Sequence, residues 1–266
     1  MARSAATWDP AQYLRFGNER LRPALDLLAQ IPLAAPSRVV DLGCGPGNVT
    51  AILEQRFPDA DIVGVDGSAA MLAKARTAAA KCTFEQADFF QWQPRHKLDL
   101  IYSNAALQWV DRHSTLFPRL LSFLAPGGVL AVQMPNQLAA PSHVAIAEVV
   151  ATEPWRDRLA GAREQTAVLQ TSDYFRLLSP NARTIDAWVS EYLHVLPAAQ
   201  DGVHPVVAWI KGTTLIPYLA ALPEHMHRTL MDQISQRIDA AYPTLSDGRV
   251  LFPFRRIFLV ATRASQ

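Results

Sequence analysis

Cysteine is scarce: two among 266 residues, Cys44 and Cys82. Two cysteines build no disulfide framework, and their spacing matches neither a zinc site nor a redox pair. A reducing compartment suits such a chain. Charge of one sign is missing too. Lys plus Arg number 25 and Asp plus Glu 24, for a net charge of +1. There is no basic field to hold nucleic acid and no polybasic run to meet a membrane surface. No stretch approaches the ~18 apolar residues of a spanning helix, and Met1 to Pro10 lacks an apolar core of signal-peptide length. The seven histidines show no metal-ligand cluster. These absences predict a soluble cytoplasmic protein with no metal, no nucleic acid and no membrane partner.

What is present suffices to fold unaided. A chain of 266 residues, 50% of them hydrophobic, can bury roughly 70–75% of its unfolded surface. No internal repeat or low-complexity tract interrupts it, so one domain over 1–266 is expected. Leu21, Leu25 and Leu28 recur at helical spacing, which predicts a first helix within 10–31. Short apolar runs then alternate with helical stretches. Strands are predicted at 38–42, 61–65, 83–87, 98–103 and 129–134, with helices at 48–57, 69–80 and 111–124. Ser68 reads as the cap of the second of these helices. Ala125-Pro126-Gly127-Gly128 reads as the turn that stops the third. This succession predicts an α/β fold, a mostly parallel sheet with helices on both faces. Later come a helix at 142–152, a strand at 184–196 and a helical insert at about 200–245, punctuated by Pro205, Pro217 and Pro223. A last strand is expected at 249–262.

The densest signal is Val39-Val40-Asp41-Leu42-Gly43-Cys44-Gly45-Pro46-Gly47-Asn48. A strand ends in an acid, glycines fall at alternate positions, and a helix opens. A dinucleotide loop needs its third glycine one position later, and Pro46 removes a backbone donor. Both features disfavour a pyrophosphate and a nicotinamide oxidoreductase. S-adenosylmethionine fits better, with no phosphate to hold. Asp41 would face its ammonium end. Asp66 closes the second strand, near the ~20-residue offset expected of an acid on a ribose diol. Asp88 closes the third, where it can accept from the adenine N6, with Phe89 beside it to pack on the ring. A single strand-end Asp is usually a loop solvator or a cap. Three in succession at the edge where open α/β sheets bind ligands make a set.

Asp41–Gly47, Gly64-Val65-Asp66, Ala87-Asp88 and Leu124–Gly128 together resemble the ordered motifs of the class I S-adenosylmethionine-dependent methyltransferases. Trp8-Asp9-Pro10, Tyr13-Leu14, Phe16, Glu19-Arg20, Ser103–Trp109 and Val129–Pro135 are similar to the trans-aconitate 2-methyltransferase subgroup. The likeness is dense over 8–136 and thins after 151. It implies a Rossmann-like sheet of seven strands, the last one antiparallel. It also implies methyl transfer from S-adenosylmethionine to a carboxylate of trans-aconitate, leaving the monomethyl ester and S-adenosylhomocysteine.

The residue types agree with that chemistry. A carboxylate is already ionised at neutral pH, so no general base is required and no catalytic residue is assigned. Positioning the oxygen in line with the methyl is worth on the order of 7–11 kcal/mol. The expected cofactor set is Tyr13, Asp41, Gly43, Gly45, Asp66, Met71, Asp88, Phe89 and Asn104. By resemblance, Tyr13 closes over the methionine end; with Phe16 at helical spacing it could equally pack its own helix. Met71 either flanks the adenine or anchors its helix. A small polycarboxylate needs cations, and Arg20 belongs to the matched signature. His143 is a second candidate and Trp109 a wall of the pocket. Arg255 and Arg256, adjacent in a strand, must face opposite ways. Two other readings stay open: another methyl acceptor, such as a small carboxylate or a carrier-bound malonyl group, and a non-catalytic module that binds S-adenosylmethionine.

Overall fold

Strands form here where short β-branched and aliphatic runs meet turn residues. The computed structural model describes residues 17–79, 81–162, 168–198 and 202–265, the side chains of 17–20 excepted. In chain order the elements begin with helix α1 (Gly17–Ala29), β1 (Arg38–Leu42), α2 (Asn48–Arg56), β2 (Asp61–Asp66), α3 (Ala69–Ala78) and β3 (Thr83–Gln86). There follow β4 (Leu98–Asn104), a single turn at Leu107–Trp109, α4 (His113–Phe123) and β5 (Leu124–Pro135). The later elements are α5 (Pro141–Val150), α6 (Trp155–Arg158), α7 (Thr171–Leu178), β6 (Ala182–Leu196), α8 (Pro205–Lys211), α9 (Ile216–Ala220), α10 (Glu224–Ala241) and β7 (Val250–Arg263).

The sheet runs β3-β2-β1-β4-β5-β7-β6. β1 pairs in parallel with β2 and β4, β2 with β3, and β4 with β5. β7 runs antiparallel to β5, with Gln133 opposite Phe258 and Pro135 opposite Arg256. This is the mostly parallel seven-stranded sheet expected. It places the ends of β1, β2, β4 and β5 along one edge.

The chain divides into two compact units. One comprises residues 17–136, 166–190 and 256–266. Its core includes Val40, Leu42, Ile101, Leu130, Val132 and Leu259, all at most 1% exposed. Each such side chain contributes about 1.5–3 kcal/mol on burial. The other unit holds 137–165 and 191–255. Its core is richer in aromatics: Trp155, Trp209, Tyr218, Tyr242 and Phe252 are buried, and Trp155 Nε1 donates to Gln233 Oε1 at 2.6 Å.

Several boundaries differ from the sequence expectation. Residues 125–128 do not lie outside the fifth strand. Pairing steps from Leu98↔Leu124 to Leu100↔Val129, so the intervening residues bulge within β5. Gly128 is needed there because a Cβ would stand 2.9 Å from the Leu98 carbonyl oxygen. α4 starts at His113 because Arg112 takes a left-handed conformation, φ 54°. The prolines of the insert punctuate it as expected. Pro205 and Pro217 occupy first turns and Pro223 the N-cap, so each opens a separate helix. α7 was not anticipated; a capping box between Gln170 and Asp173 starts it.

Candidate active site

The loop between β1 and α2 takes its shape from three left-handed glycines, Gly43 (φ 81°), Gly45 (φ 54°) and Gly47 (φ 86°). They differ in what a side chain would meet. At Gly43 a Cβ would stand 2.1 Å from Ala106 Cβ and 3.3 Å from Phe89 Cζ, and at Gly47 2.7 Å from Ala75 Cα. At Gly45 nothing lies within 4 Å. Two glycines thus seat the loop on its neighbours, and one faces open space. The backbone N–H groups are spent within the protein. Those of Gly43 and Cys44 donate to the Val65 carbonyl, and that of Gly47 to the Cys44 carbonyl. Gly45 N–H donates to Asp66 Oδ2 at 2.9 Å. Pro46 has none. Such a loop offers no ring of donors to a pyrophosphate.

The acids are held in three ways. Asp41 is 2% exposed, and Thr50 Oγ1 of α2 donates to its Oδ2 at 2.6 Å. Burial, offset in part by that bond, lifts its carboxyl to about 7. Asp66 is half-buried and spans the loop: Oδ1 accepts from Ser68 N–H at 2.8 Å and Oδ2 from Gly45 N–H. Each oxygen keeps a further lone pair for a ligand hydroxyl. Exposed Asp88 accepts from Phe90 N–H at 2.8 Å and from Gln91 N–H, shaping the turn that carries Phe89. Ser68 caps α3 by accepting from Met71 N–H, and Met71 is buried at 5% exposure. Cys44 remains a thiol, because burial beside Asp41 and Asp66 pushes it far above the ordinary range.

The helix expected at 111–124 is present as α4, but sequence reasoning missed the side-chain bonds by which it supports the site. Arg119 of α4 donates from Nη1 to the Phe89 carbonyl at 3.1 Å and from Nη2 to the Trp92 carbonyl at 2.6 Å. At the other end of α4, His113 Nε2 lies 2.9 Å from the Leu107 carbonyl. A carbonyl only accepts, so Nε2 carries the proton and Nδ1 accepts from Tyr174 O–H at 2.6 Å. Burial lowers the pKa of this imidazole, which keeps it neutral. α4 therefore grips both the turn after β3 and the turn after β4. No sequence spacing announces such bonds; those of Arg119 and that between His113 and Tyr174 join residues tens of positions apart.

At the end of β4, Asn104 is followed by Ala105 in a left-handed conformation, φ 52°. Among the described residues, Asn104 Oδ1, Gln108 Oε1 and Gln133 Nε2 are buried without a hydrogen-bond partner. Trp109 is 52% exposed. Arg256 is buried and Arg255 exposed, as strand alternation requires. His143 belongs to the other unit, where its ring nitrogens meet Ser142 Oγ and Thr214 Oγ1 at 3.4 and 3.5 Å. Burial lowers its pKa to about 4, so it is neutral near pH 7. Tyr13 lies outside the described residues; Arg20 lies on α1, its side chain likewise outside them. No group of three His, Cys, Asp or Glu suited to a metal occurs among the described residues, and no described helix is long and apolar enough to cross a membrane.

Comparisons with known proteins agree with this geometry. A family model described as a methyltransferase domain matches residues 39–128. A trans-aconitate 2-methyltransferase of Yersinia pestis (strain Pestoides F) is 49% identical over 255 residues, covering 96% of this chain and 97% of that one. One from Azoarcus sp. (strain BH72) is 49% identical over 257 residues, covering 97% and 99%. Among solved structures, the YcgJ protein of Bacillus subtilis superposes with a TM-score of 0.58 at 13% identity, over 92% of this chain and all of that one (100%). Haemonchus contortus phosphoethanolamine N-methyltransferase 2, in complex with S-adenosyl-L-methionine, gives 0.56 at 17% identity, over 96% of this chain and 56% of that one. The structural likenesses carry the fold alone. The sequence likeness, at 49% identity across nearly the whole of both chains, carries more: this chain belongs to the trans-aconitate 2-methyltransferase family of class I methyltransferases.

Proposed function

We propose that this protein transfers the methyl group of S-adenosylmethionine to a carboxylate of trans-aconitate. The observation that carries the reading is the 49% identity to trans-aconitate 2-methyltransferases over 96–97% of the chain. The edge of β1 to β3 supports the donor half. Gly45 lines its open side, Asp66 offers lone pairs to the ribose diol, and the Asp88 turn presents Phe89 for the adenine. Met71 anchors the helix behind them. Asp41, buried and bonded to Thr50, stays in the proposal at the ammonium end on the sequence reading, and its bond to Thr50 ties the end of β1 to α2. Tyr13 and Arg20 stay in the proposal on the strength of the sequence motif alone.

A carboxylate oxygen attacks the methyl carbon as the C–S bond breaks, and the electron pair goes to sulfur. An anion and a sulfonium cation become a neutral ester and a neutral thioether. No proton moves, so the site needs alignment and exclusion of water rather than a base. His143 stays in the proposal on the sequence reading alone. Trp109 would wall the pocket.

The test is direct. Purified protein incubated with methyl-labelled S-adenosylmethionine should label trans-aconitate well above citrate or buffer. Binding of the donor with no ester from any polycarboxylate would overturn the reading.

A further inference from the structure

Near the carboxyl ends of β4 and β5 lies a buried amide whose orientation is set by a neighbouring cation. Asn104 of β4 stands opposite Gln133 of β5, and Gln133 opposite Phe258 of β7. Residues in register on neighbouring strands share a face, and Arg256, two residues before Phe258, shares it as well. Asn104, Gln133 and Arg256 therefore line one face near the carboxyl ends of β4 and β5. Gln133 is 0% exposed and Arg256 3%. Arg256 Nη1 donates to Gln133 Oε1 at 3.4 Å, which fixes the amide: its oxygen turns to the guanidinium and its Nε2 turns away. That Nε2 has no acceptor among the described residues, and Asn104 Oδ1 on the adjacent strand has no donor. A buried donor left unmet is costly enough to require a ligand or water.

The donor group and the charge beside it select the ligand class. An amide N–H next to a guanidinium favours an anionic oxygen. It should not be the reacting one. Methyl transfer consumes the charge of the attacked carboxylate, so a cation beside that group would stabilise reactants more than the transition state. A carboxylate that keeps its charge throughout incurs no such penalty. We infer that Gln133 binds a non-reacting carboxylate of the methyl acceptor through Nε2, held in that orientation by Arg256, and so selects acceptors with more than one carboxylate. This rests on the polycarboxylate reading above. Arg256 has contacts of its own, and only its charge and its hold on Oε1 are required.

Two full-length variants test the assignment, each compared with the parent in acceptor KM, kcat and S-adenosylhomocysteine affinity. Gln133→Leu keeps the bulk and removes the donor. Gln133→Glu is the safer fold, since Arg256 can hold the new carboxylate, and it sets a negative charge where the substrate's would lie. Both should raise the KM for trans-aconitate at least about tenfold, the scale of one charge-assisted hydrogen bond, with S-adenosylhomocysteine affinity unchanged within about twofold. The glutamate should be the worse. An unchanged KM in folded, active variants overturns the inference and leaves water as the partner of Nε2. Equal losses of S-adenosylhomocysteine and acceptor affinity overturn it in favour of a structural role. A parent that makes no ester from trans-aconitate fails the functional reading itself, and the inference falls with it.

Discussion

The two halves of the sheet edge treat their polar groups differently. Along β1 to β3 the protein satisfies its own acids: Asp66 takes two backbone N–H groups, Asp88 two more, and Asp41 a threonine hydroxyl. Along β4 and β5 it does not; Asn104, Gln108 and Gln133 each bury an atom with no partner among the described residues. The first half is a finished mould, its acids already bonded within the protein. The second is finished by what enters it. A donor common to many enzymes suits a mould, and an acceptor particular to this family suits unfinished valences.

The comparison predicts a graded series of effects. The largest should come where the mould is packed against protein. Gly43→Ala would drive a Cβ into Ala106 at a left-handed position, costing about 3 kcal/mol or more in stability. Gly45→Ala, with open space around it, should cost about 1 kcal/mol and show instead in donor affinity. Urea unfolding of both variants checks this; equal losses of stability would erase the distinction between the packed and the open glycine. Next is Asp66→Ala, which removes both the ribose acceptor and the tie between Gly45 and Ser68. S-adenosylmethionine should bind at least about tenfold more weakly by calorimetry, and unchanged affinity in a folded variant would remove Asp66 from the ribose role.

The remaining prediction is a pH dependence. Burial raises Asp41 to about 7 from an unfolded value near 3.8, so between these the folded state holds the extra proton. Stability must then fall as pH rises from about 4 to about 7 and stay lower above it. Asp41→Asn, which can still accept from Thr50, should lack that component. The parent should therefore lose stability relative to the variant between pH 5 and pH 8. Parallel profiles would mean that Asp41 is not held up by burial.

Much of the mould was legible in the sequence, because its constraints are local. β1 and β2 end where their acids stand, and Ser68 caps α3 as its position suggested. The glycine spacing announced a tight loop. It could not announce that Gly47 is needed by Ala75, which lies on the next helix but one around the sheet edge. The unfinished half was nearly illegible. Gln133 reads as a polar residue in an apolar strand, and its meaning depends on Arg256, 123 positions away. The prolines of the insert were legible as punctuation for a local reason: each stands at the start of a separate helix, where its missing N–H is no loss.

The single helix α4 has its own consequence. It meets the Leu107 carbonyl at its first residue and the Phe89 and Trp92 carbonyls through Arg119. Held at its first residue and again through Arg119, it ties the turn after β3 to the turn after β4, so a substitution that displaces α4 reaches both turns at once.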